Sequence, residues 1–165
     1  MARPGQVSVV GSGTCGEESE EWSLAEAVGR GLAEAGLVVV CGGRGGVMEA
    51  AARGASSVGG TVIGIVPTAS AEDANEHCTH VVATGMGPAR NLAVVASGAA
   101  VIAIGGEWGT LSEIAFARRF DRPVITLRSW RLEGAGPMAE APGIEQVETV
   151  EEAVAAARSA LETAA

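Results

Sequence analysis

Ala99-Ala100-Val101-Ile102-Ala103-Ile104-Gly105-Gly106-Glu107-Trp108-Gly109-Thr110-Leu111-Ser112-Glu113 decides the fold. A continuous apolar run meets a pair of glycines, and an amphipathic stretch, Ile114-Ala115-Phe116-Ala117, follows. That order reads as strand, glycine turn, helix. Such a turn aims free backbone N–H groups and a helix N-terminus at one spot, which suits an anion such as phosphate. Thr110 and Glu113 add a hydroxyl and a carboxylate at that spot. Thr110-Leu-Ser-Glu113 also fits a capping box, in which Thr caps the helix and Glu reaches back to the cap N–H. The box accounts for Thr110 and Glu113 without a ligand. It does not account for Gly105, Gly106 and Gly109.

The same alternation repeats on both sides. Apolar runs at residues 7–10, 37–41, 61–66, 100–104 and 123–127 end at glycine, proline or an arginine-serine pair. Between them lie helical spacings over 20–35, 47–58, 88–97 and 111–120, with a last short strand at 144–147 and a closing helix over 150–161. A short strand is also expected at 81–83. The strands are continuous apolar runs, so both sheet faces are covered. The expected fold is a single α/β domain over residues 1–165, with a doubly wound, Rossmann-like parallel sheet and helices on both faces. Ligands in such sheets bind at the carboxyl ends of the strands, where the glycine loops lie.

Composition narrows the function classes. The chain has 165 residues, 47% of them hydrophobic and only 3% aromatic, so Val, Ile, Leu and Ala must build the core. The net charge is −9, which argues against nucleic acid as a partner. The deficit is uneven: residues 86–131 carry six arginines against three acids, so the middle third alone is basic and suits a small anion. There is no lysine, which excludes a Walker A loop and any Schiff-base anchor for pyridoxal phosphate. Three widely spaced cysteines read as reduced thiols of a cytoplasmic protein. No signal peptide is visible, and no apolar run reaches the length of a membrane span.

Four further segments carry candidate chemistry. Gly42-Gly43-Arg44-Gly45-Gly46 lets a backbone approach a ligand closely, with Arg44 as a forked cation for phosphate. Gly11-Ser12-Gly13-Thr14-Cys15-Gly16 matches a dinucleotide fingerprint by letter. However, no acid ends the next strand to hold a ribose, and Glu17, Glu18, Glu20 and Glu21 would repel a pyrophosphate. Ser12 and Gly13 are expected to line one side of a pocket instead. Met86-Gly87-Pro88-Ala89-Arg90-Asn91 puts Arg90 at a helix start, where its charge opposes the dipole and so suggests a task toward a ligand. His77, Cys78 and His80 form no convincing metal set, and no metal is expected. Trp108 either stacks on a heterocycle or covers the sheet edge.

Taken in order, Gly42-Gly43-Arg44-Gly45-Gly46-Val47-Met48 and Met86…Arg90…Gly105-Gly106-…-Gly109-Thr110-…-Glu113 resemble the Lonely Guy superfamily. It contains the cytokinin-activating phosphoribohydrolases, often misnamed lysine decarboxylases, and the molybdenum-cofactor carrier proteins. The likeness spans roughly residues 7–128. The phosphoribohydrolase pattern is G-G-G-x-x-G-x-M, then Arg-Lys, then P-G-G-x-G-T-x-x-E. Here Asn91 replaces its Lys and Ile104 its Pro, and Glu107-Trp108 stand where it has one residue. The two-residue form resembles the carrier branch.

The resemblance implies the fold, an anion-binding cleft and a homodimer or larger homo-oligomer, for which alanine-rich helices such as 47–58 offer flat faces. It implies a bound phosphorylated heterocycle, with the molybdenum cofactor as a carried ligand and no tightly bound catalytic cofactor. The ligand-binding residues it points to are Ser12, Gly13, Gly43, Arg44, Gly45, Gly46, Met86, Arg90, Gly105, Gly106, Trp108, Gly109 and Thr110. The alternative it leaves open is N-glycosidic cleavage of a nucleoside 5′-monophosphate such as a cytokinin riboside 5′-monophosphate. In that case Arg90 and Glu113 are catalytic, with Glu113 activating water or steadying charge on the ribose.

Overall fold

A computed structural model describes residues 5–138 and 141–163. Seven parallel strands form one sheet: β1 (Gln6–Gly11), β2 (Val38–Cys41), β3 (Val62–Val66), β4 (His80–Ala83), β5 (Ala100–Ile104), β6 (Val124–Leu127) and β7 (Ile144–Val147). Their spatial order is β4-β3-β2-β1-β5-β6-β7. The helices are α1 (Glu20–Glu34), α2 (Val47–Ser56), α3 (Arg90–Ser97), α4 (Trp108–Arg119) and α5 (Val150–Thr163). This is the doubly wound, Rossmann-like α/β fold that the alternation of apolar runs and helical spacings predicts.

Side chains alternate along each strand and feed two cores. Val7, Val9, Val39, Cys41, Ile102, Ile104, Ile125 and Leu127 pack under α1, α2 and α5. Val10, Val40, Val101, Ala103 and Val124 pack under α3 and α4. At about 1.5–3 kcal/mol for each fully buried aliphatic side chain, these two layers supply the main driving force for folding. Cys15, Cys41 and Cys78 are free thiols. No helix among the described residues is long and apolar enough to cross a membrane.

The alanine-rich α2 is not a free face. Ala50, Ala51, Ala52 and Ala55 are fully buried. Gly29 and Gly54 let α1 and α2 approach to backbone contact, since a Cβ on either would collide with the facing main chain. The small residues expected to serve self-association are spent on packing inside the chain.

The sheet also fixes where a ligand can enter. From β1 the chain steps through α1 to β2 on one side, whereas β5, on the other side of β1, continues through α4 to β6. The loops after β1 and β5 therefore diverge and open a crevice at the switch point. The loop after β2 borders it.

Candidate functional site

The crevice holds a cavity of about 190 Å³ lined by Gly11, Ser12, Gly13, Met48, Arg90, Asn91, Glu107, Gly109, Thr110 and Glu113. Three helices begin around it, and no side chain caps α2, α3 or α4. By contrast, α1 is capped by Ser19, whose hydroxyl accepts from the Trp22 N–H at 3.2 Å. A helix start without a side-chain cap keeps donors and positive dipole available for a ligand.

The start of α2 is shaped by Gly46, whose φ is +64°, a left-handed conformation that glycine tolerates. A Cβ on Gly46 would strike the Ser12 carbonyl. The close approach allows the Val47 N–H to donate to Ser12 O at 2.9 Å, locking the β1 and β2 loops together. Asn75, far along the chain, braces the β2 loop further. Its N–H donates to Gly43 O at 2.8 Å and its side-chain amide to Arg44 O at 2.9 Å. No motif marks Asn75 in the sequence, because its role depends on a loop that folds back.

The start of α4 differs from the sequence expectation. The helix begins at Trp108, with Glu107 at the cap position, rather than at Leu111. Thr110 therefore lies inside the first turn and Glu113 inside the second, and neither belongs to a capping box. Gly106, at φ +102°, turns the chain early, and a Cβ there would collide with the Thr110 side chain. Thr110 and Glu113 are both buried and line the cavity.

Arg90 is the buried cation of the cavity, 8% exposed. Its guanidinium packs over Gly42, where a Cβ would lie 2.6 Å from Nη1. One amino group donates to Asn91 Oδ1 and the other approaches Met48 Sδ at 3.9 Å, while the buried Nε has no partner. Burial makes the charged guanidinium costly and lowers its pKa, an effect that Glu113 partly offsets. Burial likewise lifts the Glu113 carboxyl from an ordinary 4.5 to about 7, against the pull of Arg90. The two groups attract but form no ion pair, so space is left between them.

The structure thus brings Ser12, Gly13, Arg90, Gly109, Thr110 and Glu113 to one cavity. Gly45 and Gly46 abut the Ser12–Gly13 loop, and Gly43, at φ +71°, shapes the β2 turn behind them. Arg44 is exposed beside that turn. Gly105 and Gly106 do not line that cavity; they line a separate depression with Glu21, Arg128, Ser129 and Trp130. Trp108 is 76% exposed and tilts against Trp130, with ring centroids 5.3 Å apart. Met86 is 55% exposed in the turn before α3 and does not line the cavity. Met48, Asn91 and Glu107 join the lining. Met48 and Asn91 were visible within the family motifs, and Glu107 in the two-residue insertion. Trp130 lacked any such signal; its indole N–H donates to Glu107 O at 3.2 Å and steadies the loop.

Known proteins match this arrangement across nearly its whole length. The family described as SLOG cluster4 matches residues 4–161. An uncharacterized protein of Archaeoglobus fulgidus is 42% identical over 149 residues, which cover 90% of this chain and 91% of the relative. The molybdenum cofactor binding protein from the phototrophic bacterium Rippkaea orientalis superposes with a TM-score of 0.84 at 29% identity, over 98% of this chain and 99% of that one. The Moco carrier protein from Chlamydomonas reinhardtii gives the same TM-score of 0.84 at 28% identity, again over 98% and 99%. The likeness carried by the paired glycine loops is borne out, and the chain belongs to the SLOG cluster4 family.

Proposed function

We propose that the crevice binds a small phosphorylated heterocycle, as a carrier of the molybdenum cofactor would hold its phosphorylated pterin. The observation that carries this reading is the buried, incompletely bonded Arg90 in a cavity ringed by helix starts without side-chain caps. Charge-assisted hydrogen bonds from the guanidinium and the backbone donors of α2 and α4 suit a phosphate ester. The cavity, at about 190 Å³, is smaller than the roughly 300–1,000 Å³ of a whole-ligand pocket. It takes the phosphate end, and the ring extends toward the aromatic pair Trp108 and Trp130. Similarity to the two cofactor-binding proteins supports the same assignment.

Glu113 fits this role in its neutral form. With a pKa of about 7, half of the carboxyl population is protonated near neutrality and can donate to a phosphate oxygen. Ligand binding then takes up a proton, so affinity weakens as pH rises through 7. A phosphate also titrates in this range, so the informative quantity is the difference between the wild type and Glu113→Gln.

The buried Glu113 also favours one second reading, hydrolysis of a nucleoside 5′-monophosphate. A carboxyl near pKa 7 is suited to general acid–base transfer. Incubation with AMP and isopentenyladenosine monophosphate separates the two. Retention of molybdopterin cofactor through gel filtration, without release of free base from either nucleotide, supports the carrier. Base release that disappears in Glu113→Ala supports the hydrolase. The family likeness further leads us to propose a homodimer at least, and sedimentation of only a 16.4 kDa species contradicts that.

A further inference from the structure

At Gly105–Gly106 lies a second depression of about 330 Å³, lined by Glu21, Gly105, Gly106, Arg128, Ser129 and Trp130. Its walls combine three chemistries. Trp130 and its neighbour Trp108 offer an aromatic surface, their rings tilted 40° to each other. Glu21 offers a carboxylate that packs directly on Gly105, where an added Cβ would collide with it. Arg128 offers a guanidinium at φ +50°, a backbone conformation rare for a residue with a side chain. Ser129, the next residue, donates to Gly105 O and ties that segment to the glycine wall.

The acids around the depression are not equivalent. Glu20 and Glu148 pair with Arg128 at 3.6 and 3.3 Å. Glu21 takes part in none of the ion pairs among the described residues. Glu21 is thus a carboxylate held at a cavity wall without a cationic partner, beside a cation that is already held in place. A carboxylate accepts two parallel N–H bonds, and a guanidinium donates to a carbonyl.

We infer that this depression is a ring subsite selective for a 2-amino-4-oxo-pyrimidine edge, the edge of a pterin or a guanine. That edge presents one carbonyl acceptor followed by two adjacent N–H donors. Arg128 meets the carbonyl, Glu21 takes the two N–H groups, and the ring lies against Trp130. Adenine lacks the adjacent donor pair and the carbonyl, so this subsite disfavours adenine nucleotides. The inference rests on the proposed phosphorylated-heterocycle reading and names its ring class. The phosphate cavity, bordered by Glu107, Gly109 and Thr110, and the ring subsite, bordered by Gly105 and Gly106, then share one loop, and the ligand spans it.

The test uses free pterin and lumazine, neither carrying a phosphate. Lumazine places a second carbonyl where pterin has its amino group, turning a donor toward Glu21 into an acceptor. Tryptophan quenching and equilibrium dialysis on the full chain should show saturable pterin binding, with lumazine at least tenfold weaker. Glu21→Gln, which can donate as well as accept, should narrow that gap, and Trp130→Leu should weaken both ligands. Arg90→Met should leave free pterin binding unchanged while weakening a phosphorylated ligand. Equal binding of pterin and lumazine, an unaltered gap in Glu21→Gln, or no pterin binding overturns the ring subsite. Loss of the Arg90 dependence for the phosphorylated ligand overturns the phosphate cavity instead.

Discussion

Thr149-Val150-Glu151-Glu152 and Thr110-Leu111-Ser112-Glu113 share one pattern, T-x-x-E, and sit at or near the starts of α5 and α4. At α5 the pattern closes on itself. The Thr149 hydroxyl accepts from the Glu152 N–H at 3.2 Å, and the Glu152 carboxylate accepts from the N–H groups of Glu148 and Thr149 at 2.9 and 3.1 Å. At α4 the helix starts two residues ahead of Thr110, and the same side chains face a cavity under Arg90. One tetrapeptide satisfies its helix end, and the other leaves it available. Local sequence is identical in kind, so tertiary position decides which outcome is realised.

The sharpest way to break the contrast is to remove the cation that distinguishes the two sites. Arg90→Met keeps the bulk beside Met48 but deletes the charge. Binding of a phosphorylated ligand should fall by about a hundredfold, roughly 3 kcal/mol, measured by calorimetry. Deleting the exposed Arg158 of α5 should change that affinity little. Equal losses in the two variants would mean that ligand responds to overall charge and not to the cleft.

The two glutamates should respond to pH with opposite signs. Glu113 has its folded pKa raised, from 4.5 to about 7. The folded state therefore holds its proton more tightly than the unfolded state, and the stability this contributes is lost as pH rises through 7. Relative to wild type, Glu113→Gln should gain about 3 kcal/mol between pH 4 and pH 8 in denaturant unfolding. Glu152 has its pKa lowered by the backbone N–H groups of Glu148 and Thr149. Its contribution is present above the ordinary carboxylate range and is lost as pH falls through the folded value. Glu152→Gln should then destabilise at pH 7 and converge with wild type in acid. Matching signs for the two variants would show that both glutamates cap helices.

The glycine boundaries made the fold legible. The end of β2 at Cys41, the start of α2 at Val47 and the run of β5 over Ala100–Ile104 coincide with sequence expectation, because each apolar run ends at a backbone-permissive residue. The glycine loops around the cavity were legible for the same reason. The start of α4 was not. A capping box is a local pattern, but its use depends on whether the Glu can reach the cap N–H. At α4 the left-handed Gly106 and the burial of Glu113 beneath Arg90 override it, and Arg90 arrives from a separate helix. Asn75 and Trp130 act through bonds to residues more than 20 positions away, so no window of sequence reports them.

The smallest effects isolate the hydroxyls. Thr149→Val removes an acceptor that satisfies a helix N–H, and should cost about 1 kcal/mol in unfolding experiments while leaving ligand affinity unchanged. Thr110→Val keeps the buried β-branched shape, since the side chain is 2% exposed and packs against Gly106. Because the Thr110 hydroxyl caps no helix, its removal should shift stability by less than about 0.5 kcal/mol. It should still weaken a phosphorylated ligand several-fold, because one donor at the cavity wall is lost, an effect on the order of 1 kcal/mol. The pair of threonines then separates stability from binding: one substitution moves the unfolding midpoint alone, the other the dissociation constant alone. A Thr110→Val variant that unfolds as easily as Thr149→Val would restore the capping role to Thr110.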